Sequence, residues 1–386
     1  MDLGTLALNR GGRLLVDRAL ARLTPGERLW VTGTDPALAV HLAAWGRLEG
    51  HRVERHPYLV VIRGDTSERR WADAERAGSP GQVSDHAAVS WGLAARGALV
   101  ESGGPPLPGA DLDRRDLVWT DLAPRLYAQA AASQWDPARA IDWTPPSLPP
   151  EIEVAVVQIM TYLVENEQAA LTVSARFLGR VHPHFREIAG FLATQTADEA
   201  RHAEVFARRA TLCGYPLGVS GAGGRASLQT LLDEPEWTNA AFLLSVLGEG
   251  SFLSLLSFLS RYAPDPVTAR ITRLALADEA RHVAFAVGHL SETVTARPEQ
   301  RDRLRAALER RHHALSSTAG LSPAVLDSLV LVAAGSWDPH AVQDGWDAVE
   351  NLQAEMAEGR RRRLIRLGFT DGQAVELAAL HTSNFM

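Results

Sequence analysis

Apolar residues recur at helical spacing over most of the second half of the chain. Beyond Pro149-Pro150, four long amphipathic segments follow one another, and short turns at Pro183 and Pro264 divide them into two pairs. A Gly- and Ser-rich connection over 214–227 joins the pairs. The pattern predicts two helical hairpins joined by a crossover, with helices at Glu151–Val181, Pro183–Cys213, Trp237–Tyr262 and Pro266–Ala296.

Four further helical patterns follow these hairpins. We expect them to complete the core of the helical domain or to form the face of a homodimer. Their predicted ranges are Pro298–Ser316, Ser322–Ala334, Asp338–Leu367 and Thr370–His381.

The start of the chain has a different, mixed pattern. Asp35-Pro36 provides an N-cap and a first helical residue for a helix over Ala37–Leu48, which Gly50 ends. Short β-type runs surround this helix. They predict strands at Arg28–Thr32, Arg52–Glu54 and Tyr58–Ile62.

The segment between these two parts contains Gly- and Pro-rich breaks around short helical stretches near His86–Arg96 and Leu122–Ala132. Trp135 and Trp143 lie in a proline-punctuated approach to the first long helix, and we interpret them as packing anchors. The sequence thus predicts a mainly α protein. Its expected parts are a small α/β domain over 1–66, a connecting region over 67–149, a four-helix bundle over 150–316 and C-terminal helices over 317–386 that pack on the bundle or on a dimer partner.

Composition narrows the function. A formal net charge of -7 gives no broad basic surface for nucleic acid, and neither a signal sequence nor an uninterrupted membrane-length apolar run is found, so we expect a cytoplasmic protein. The chain has no Lys, and its use of Arg with abundant Ala and Gly is typical of a bacterial genome of high GC content. Cys213 is the only cysteine, which excludes a disulfide within the chain and a cysteine zinc site. Any metal must therefore be bound by Glu, Asp and His.

One five-residue segment, Asp-Glu-Ala-Arg-His, occurs in the second helix of both predicted hairpins, at 198–202 and at 278–282. Glu and His three positions apart lie on one face of a helix, so Glu199 with His202, and Glu279 with His282, can each offer a carboxylate and an imidazole to a metal ion. A single such pair is common on solvated helices. Two copies at equivalent positions favour a binuclear metal site.

The first helix of each hairpin adds a candidate ligand. Glu167 and Glu249 each lie roughly one hairpin before the matching Glu of the repeated segment. Glu165 competes with Glu167, but it shares its helix face with polar residues, whereas the face of Glu167 carries Met160, Leu163 and Leu171. When the two hairpins are aligned, their loops are offset by one residue. Both Glu165 and Glu167 therefore remain candidates, and Glu167 is preferred.

Together these features resemble the ferritin-like di-iron carboxylate proteins, and within them the oxygen-activating branch, over about residues 151–290. The resemblance implies two iron ions, with manganese as a possible replacement, and dioxygen as co-substrate. It also implies that Glu199 and Glu279 are bridging, catalytic carboxylates and that the other metal ligands are Glu167, His202, Glu249 and His282. Asp198 and Asp278 would each accept a hydrogen bond from the imidazole N–H of the histidine in the opposite half-site.

Four other residues of the predicted bundle have open roles. Arg201 and Arg281 are expected either to pair with carboxylates behind the site or to lie on a solvated face. Tyr162 could relay protons or be a core residue, and His289 could line a channel or be a buried structural histidine.

The first 64 residues resemble the TusA-type sulfur-carrier fold. The resemblance rests on Pro25-Gly26-Glu27-Arg28-Leu29, on Asp35-Pro36 and on the segment from Ala44 to His51. The Cys-Pro pair of that family should fall near Asn9-Arg10, and neither residue is present. We therefore expect a docking or packing role for this domain and no persulfide transfer.

These observations predict a non-haem di-iron oxidase or oxygenase that hydroxylates, desaturates or N-oxygenates a small organic substrate. Because the sequence shows no flavin or nicotinamide fingerprint, the two electrons should come from a separate donor. A ferroxidase or metal-handling protein with the same ligands is the first alternative. A scaffold protein that docks a partner through the N-terminal domain is the second.

Overall fold

The structure is a computed structural model that describes residues 1–55, 57–65, 71, 73–316 and 323–380. The chain forms two compact units, Met1–Pro108 and Gly109–Met386. The boundary between the units therefore falls inside the region that the sequence assigns to a connection. Residues after this boundary, including the helix Ala123–Ala132, pack with the helical unit.

The N-terminal unit contains a three-stranded antiparallel sheet of order β1-β3-β2. A short 3₁₀ turn, Leu8–Arg10, precedes the first helix. The apolar sides of the helices and of the sheet share one core that includes Val16, Leu42, Trp45 and Val61. Its elements are α1 (Gly12–Leu20), β1 (Arg28–Val31), α2 (Leu38–Leu48), β2 (Arg52–Glu54) and β3 (Leu59–Ile62), followed by the paired strands β4 (Glu75–Arg76) and β5 (Leu99–Val100).

The C-terminal unit is built on a four-helix bundle, as predicted. Its first hairpin consists of two long helices that pack along each other, and the second hairpin crosses over to pack beside them. The mainly α fold with a ferritin-like four-helix bundle is therefore confirmed. The helices before and within the bundle are α3 (Arg115–Val118), α4 (Ala123–Ala132), α5 (Pro137–Ala140), α6 (Pro150–Leu178), α7 (Arg186–Thr211), α8 (Ala222–Leu232), α9 (Trp237–Ala241), α10 (Gly250–Tyr262) and α11 (Pro266–Ala296).

The third bundle helix is continuous from Trp237 to Tyr262 but contains a π-helical segment, Phe242–Glu249, between α9 and α10. This helix is long and apolar enough to cross a membrane, yet 83% of its apolar window is buried inside the protein. Such burial is what a central helix of a bundle requires. Glu249, a candidate metal ligand, is the last residue of the π segment.

Local sequence signals fix several helix starts. The side chain of Asp265 accepts a hydrogen bond from the Thr268 amide at the start of α11, and Pro266 occupies the first helical position. Asp338 caps α14 (Pro339–Arg366) in the same way, and Thr370 with Gln373 forms a capping box at α15 (Asp371–Ala379). The sequence predicts these starts to within one residue because each cap acts locally.

The C-terminal helices lie against the bundle. α13 packs on α6, and α14 packs on α10 and on α13. Leu329 and Met356 of these helices share the bundle core with Ile159 and Leu256. The helices are α12 (Gln300–Leu315), α13 (Pro323–Ala334), α14 (Pro339–Arg366) and α15 (Asp371–Ala379). The predicted ends at Ser322 and His381 lie outside the described residues.

The structure adds detail to the sequence prediction in two places. The stretch His86–Arg96 contains only a 3₁₀ turn, Val89–Trp91, because Gly92 with a positive φ of 52° ends it. The connection over 214–227 is not wholly irregular, since α8 begins at Ala222. One side of α8 is buried at Gly223, Ser227 and Leu231.

Candidate metal centre

The bundle places the six candidate ligands in its interior. Glu167 is on α6, Glu199 and His202 are on α7, Glu249 ends the π segment, and Glu279 and His282 are on α11. Each of the six side chains is at most 5% exposed. Carboxylates are almost never buried to this degree unless they are paired or bind a metal.

The six side chains form two groups of four, and in each group one ligand atom from every residue lies within 4.8 Å of those from the other three. One group is Glu167, Glu199, His202 and Glu279, and the other is Glu199, Glu249, Glu279 and His282. Glu199 and Glu279 belong to both groups. The structure thus contains two buried carboxylate–histidine clusters that could bind two metal ions, with two shared carboxylates between them.

In both clusters the imidazole Nδ1 faces the carboxylates. His202 Nδ1 lies 3.2 Å from Glu279 Oε1 and 3.5 Å from Glu167 Oε2, and His282 Nδ1 lies 3.2 Å from Glu199 Oε1 and 3.4 Å from Glu279 Oε2. Four carboxylates and two imidazoles are hard oxygen and borderline nitrogen donors. This donor set suits iron or manganese.

Many of these inward-facing atoms are buried without a hydrogen-bond partner among the described residues. They are Glu167 Oε1, both Oε atoms of Glu199, His202 Nδ1, Glu249 Oε2, Glu279 Oε2 and His282 Nδ1. Leaving a single buried polar atom unsatisfied costs about 1–3 kcal/mol. These seven atoms lie in the two clusters, and two bound cations would provide partners for them.

Burial and mutual repulsion shift the titration of the cluster. Burial and the nearby Glu199 raise the pKa of Glu167 well above its usual value, and burial and Glu279 do the same to the pKa of Glu249. Burial opposes protonation of His282, but the charges of Glu199 and Glu279 outweigh it and raise the pKa of His282. The metal-free cluster therefore holds protons that divalent ions would displace.

On the outer side of each imidazole lies the aspartate of the opposite repeated segment. His202 Nε2 is 3.1 Å from Asp278 Oδ2, and His282 Nε2 is 3.2 Å from Asp198 Oδ2. An Nε2–H that donates to the aspartate leaves the Nδ1 lone pair directed into the cluster. The contact proposed from the resemblance is therefore present in both halves.

Arg201 and Arg281 lie behind the site and are not on a solvated face. Arg201 Nη2 donates to Asp278 Oδ2 at 3.0 Å, and Arg281 Nη2 donates to Asp198 Oδ2 at 3.3 Å. Each arginine also pairs with the aspartate of its own segment. The two ion pairs cross between α7 and α11 and so connect the two hairpins.

Two residues that the sequence did not assign to the site belong to this network. Gln134 Nε2 donates to Asp198 Oδ1 at 3.0 Å, and Trp135 Nε1 donates to Asp278 Oδ2 at 2.8 Å. The Trp135 ring also stacks on the imidazole of His202, with the ring centroids 6.5 Å apart. The sequence interpretation of Trp135 as a packing anchor missed this hydrogen bond, because a loop residue far from the motif gives no spacing signal.

The remaining candidates lie outside the two clusters. Glu165 is partly exposed and belongs to neither group, whereas Glu167 belongs to one. Tyr162 packs in the core against Phe252, and burial raises the pKa of its phenol. His289 is fully buried, and its Nδ1 lies 3.2 Å from the Trp119 carbonyl oxygen.

A small cavity of about 20 Å³ adjoins the clusters. Its lining includes Glu167, Glu249 and Glu279, together with apolar residues that include Leu231, Leu244 and Phe252. This volume holds one water-sized molecule. A substrate larger than a few atoms would therefore need the lining residues to move.

No protein-family model matches this sequence. No curated protein matches it either.

Solved structures with a similar fold include a variant of an R2-like ligand-binding oxidase with an aerobically reconstituted Mn/Fe cofactor. It shares 16% identity with this chain at a TM-score of 0.45, and the alignment covers 67% of this chain and 94% of that one. A second variant, with an anaerobically reconstituted Mn/Fe cofactor, shares 15% identity at a TM-score of 0.45, over 68% of this chain and 95% of the other. An R2-like ligand-binding oxidase with a reconstituted metal cofactor after photoconversion shares 17% identity at a TM-score of 0.41, over 67% and 91%.

Proposed function

We propose that this chain is a non-haem di-metal oxidoreductase that uses dioxygen and two electrons from a separate donor to oxidise a small organic substrate. The observation that carries the proposal is the pair of buried clusters that share Glu199 and Glu279. Two ions so bound, iron or manganese, would supply the sites at which dioxygen binds and is reduced. The protein holds the ligands and limits access.

The chain's own residues have distinct tasks in this proposal. Glu199 and Glu279 would contribute to both metal sites, and Glu167 and Glu249 would each contribute to one. Asp278 holds His202 with its Nδ1 toward the cluster, and the Asp198 contact does the same for His282. The apolar residues that line the adjoining cavity keep bulk water away from the clusters.

The proposal is tested by reconstituting the purified protein with ferrous iron under anaerobic conditions and then admitting dioxygen. We expect about two bound ions per chain, dioxygen consumption and a change in the visible absorption spectrum. Glu199→Gln should abolish the dioxygen consumption. Glu165→Gln is the matched control, because Glu165 is partly exposed and lies outside both clusters. Failure to bind iron, or equal effects of the two substitutions, would contradict the proposal.

A second function, oxidation of ferrous iron itself, is favoured by the small size of the cavity beside the clusters. A cavity for one water-sized molecule admits dioxygen without any organic compound. The two functions differ in the iron that is consumed. A ferroxidase should oxidise many iron equivalents per chain, whereas an oxidase or oxygenase should stop at the bound pair and require external electrons.

For residues 1–66 we propose a sulfur-carrier-like fold that serves as a docking module for the electron donor. The fold is supported by the element order α1, β1, α2, β2, β3, with Asp2 ahead of α1 forming a parallel bridge to Thr32 at the end of β1. Removal of residues 1–108 should slow the transfer of electrons from the donor protein and leave the reaction of chemically reduced enzyme with dioxygen unchanged. An unchanged rate of electron transfer would refute the docking role.

A further inference from the structure

The π segment Phe242–Glu249 ends at a candidate ligand, and α10 follows it directly. In a π-helix each N–H bonds to the carbonyl five residues before it, whereas in an α-helix it bonds to the carbonyl four residues before it. The change from π to α therefore skips one carbonyl. The acceptors of the Gly250 N–H include the carbonyl of Ser245, five residues back, but not that of Val246, four residues back. The skipped carbonyl is thus that of Val246.

A side chain from another helix pairs with this skipped carbonyl. Nε of Arg363, on α14, donates to the Val246 carbonyl oxygen at 2.7 Å. In an α-helical register the same oxygen would accept from the N–H of Gly250. Val246 is fully buried, and a buried carbonyl without a donor is unfavourable. The hydrogen bond from Arg363 therefore stabilises the π register relative to the α register.

Gly250 makes room for this contact. A Cβ at position 250 would lie 2.5 Å from Cζ and 2.7 Å from Nη2 of Arg363, closer than Cβ atoms approach other atoms. The backbone of Gly250 has an ordinary helical φ of -60°, which any residue can adopt. Glycine is therefore not needed for the backbone conformation here. It allows the guanidinium to lie against the helix.

Arg363 differs from its neighbours on α14 in what it contacts. Arg361 and Arg362 both form ion pairs with Glu358, whereas no carboxylate among the described residues pairs with Arg363. Its Nη2 is buried without a hydrogen-bond partner. Burial of a charged group without a carboxylate is unfavourable, so an ion pair does not account for the position of Arg363. The contact with the π segment does.

The register of this segment determines where Glu249 lies. One residue of an α-helix corresponds to a rotation of about 100°. A return to the α register would therefore turn the two ends of the third bundle helix by about this angle relative to each other. The start of the helix is fixed by Trp237, whose ring packs on Phe177 and on His289. Glu249, at 5% exposure and in the same cluster as His282, would then leave its place in the cluster.

We propose that Arg363 is a positioning residue for the metal centre. By donating to the Val246 carbonyl, through the space that Gly250 leaves, it holds the π segment in the register that places the Glu249 carboxylate in the cluster with His282. Arg363 acts through Glu249 and not by contact with a metal ion. The role in metal binding rests on the proposed function, whereas the register is a property of the metal-free chain.

The register is tested with crystal structures of the full-length, metal-free chain that carries Arg363→Met, with Arg362→Met as the matched control. Methionine keeps an apolar side chain but has no donor, and the side chain of Arg362 is 73% exposed and pairs with Glu358. In Arg363→Met the Val246 carbonyl should accept from the Gly250 N–H, and Glu249 should leave the cluster. Arg362→Met should keep the π segment. An unchanged π segment in Arg363→Met, or the same change in both variants, would overturn the proposal.

Metal affinity is the second measurement, by competition of a chelator for anaerobic ferrous iron. Arg363→Met should weaken one of the two binding steps by about 10- to 100-fold, the usual range for residues that orient metal ligands. In a Glu249→Ala background it should have no further effect, because the group through which it acts is absent. In a Glu167→Ala background the effect should remain. Equal effects in the two backgrounds are the behaviour of a residue that only stabilises the fold, and they would refute the positioning role.

Gly250→Ala disrupts the same contact from the other helix, since its Cβ would displace the guanidinium. It should weaken the same binding step, and the double variant with Arg363→Met should be no weaker than either single variant. Arg363→Lys, which keeps a donor, should retain part of the affinity. Thermal unfolding verifies that each variant is folded, and Gly250→Ala and Arg363→Lys decide the question if Arg363→Met does not fold.

These measurements separate the inference from the proposed function. If the unchanged protein fails to react with dioxygen while the register and the weaker binding step depend on Arg363, only the proposed function is lost. If the unchanged protein reacts with dioxygen while Gly250→Ala and Arg363→Met keep the π segment and full metal affinity, only the inference is lost.

Discussion

Replacement of Asp278 by Asn tests how the residues around the imidazoles support metal binding. Oδ2 of Asp278 accepts from His202 Nε2 at 3.1 Å, from Trp135 Nε1 at 2.8 Å and from Arg201 Nη2 at 3.0 Å, while Oδ1 pairs with Arg281. Asn has nearly the same shape and can keep an oxygen toward the three donors. The substitution therefore removes the negative charge and little of the geometry.

The expected effect is a loss of metal affinity in the half-site that contains His202. Without the carboxylate the imidazole is a poorer ligand and its tautomer is less fixed, which typically lowers affinity about 10- to 100-fold, or about 1.4–2.7 kcal/mol. Asp198→Asn should act in the same way on the half-site of His282, because the contacts of Asp198 mirror those of Asp278. Competition with a chelator, on protein that is folded at the start, measures this affinity.

Glu153→Gln is the matched control for general destabilisation. Glu153 is a buried carboxylate of the same bundle, and its two oxygens accept from Arg209 at 2.6 and 2.9 Å, but it is not part of either metal cluster. Asp265 still pairs with Arg209 at 2.9 Å in this variant, so the free energy of unfolding should fall by about 1–3 kcal/mol, and the metal affinity of the folded protein should be unchanged. Equal losses of affinity in Asp278→Asn and Glu153→Gln, or no loss in Asp278→Asn, would refute the reasoning.

Three further predictions concern other parts of the structure. Trp135→Phe should weaken metal binding, because it removes the hydrogen bond that Trp135 Nε1 donates to Asp278. Trp143→Phe removes a hydrogen bond to the Pro137 carbonyl oxygen and should leave metal binding unchanged; titration with a chelator compares the two variants. Burial lowers the pKa of His289 to about 4, so between about pH 6.5 and about pH 4 the unfolded chain binds a proton at this residue that the folded chain does not. The free energy of unfolding should therefore fall by at most about 3 kcal/mol as the pH decreases from about 6.5 to about 4. His289→Gln should remove that part of the acid dependence in urea unfolding, and an unchanged dependence would contradict this. Removal of residues 1–108 should leave the metal content intact, because all six clustered side chains lie in the second unit, and metal analysis of the shortened chain would reveal any loss.

The sequence was most informative where its signal is periodic or repeated. Long amphipathic patterns and local caps such as Asp265 and Thr370 predict helix positions closely, because both act within a few residues. The duplicated segment identified Glu199 and Glu279 because a helix fixes the direction in which side chains three positions apart point. The choice of Glu167 over Glu165 followed from the apolar face that it shares.

The sequence was least informative where a loop or a packing choice decides the structure. The positions of Gln134 and Trp135 behind the aspartates depend on how α4 packs on α7, which no local pattern encodes. The helix α8 was missed because glycines at 221, 223 and 224 disfavour a helix, and burial against α6 outweighs that preference.

Metal analysis of the chain and of two variants, after reconstitution with ferrous iron, tests the central claim most directly. If Glu199 contacts both ions while His202 binds one, the unchanged protein should hold about two ions per chain, Glu199→Ala should lose both, and His202→Ala should lose one more readily than the other. Full occupancy in Glu199→Ala, together with a change in unfolding free energy of less than about 0.5 kcal/mol, is the behaviour of an exposed surface position. That result would contradict the assignment of a shared metal centre.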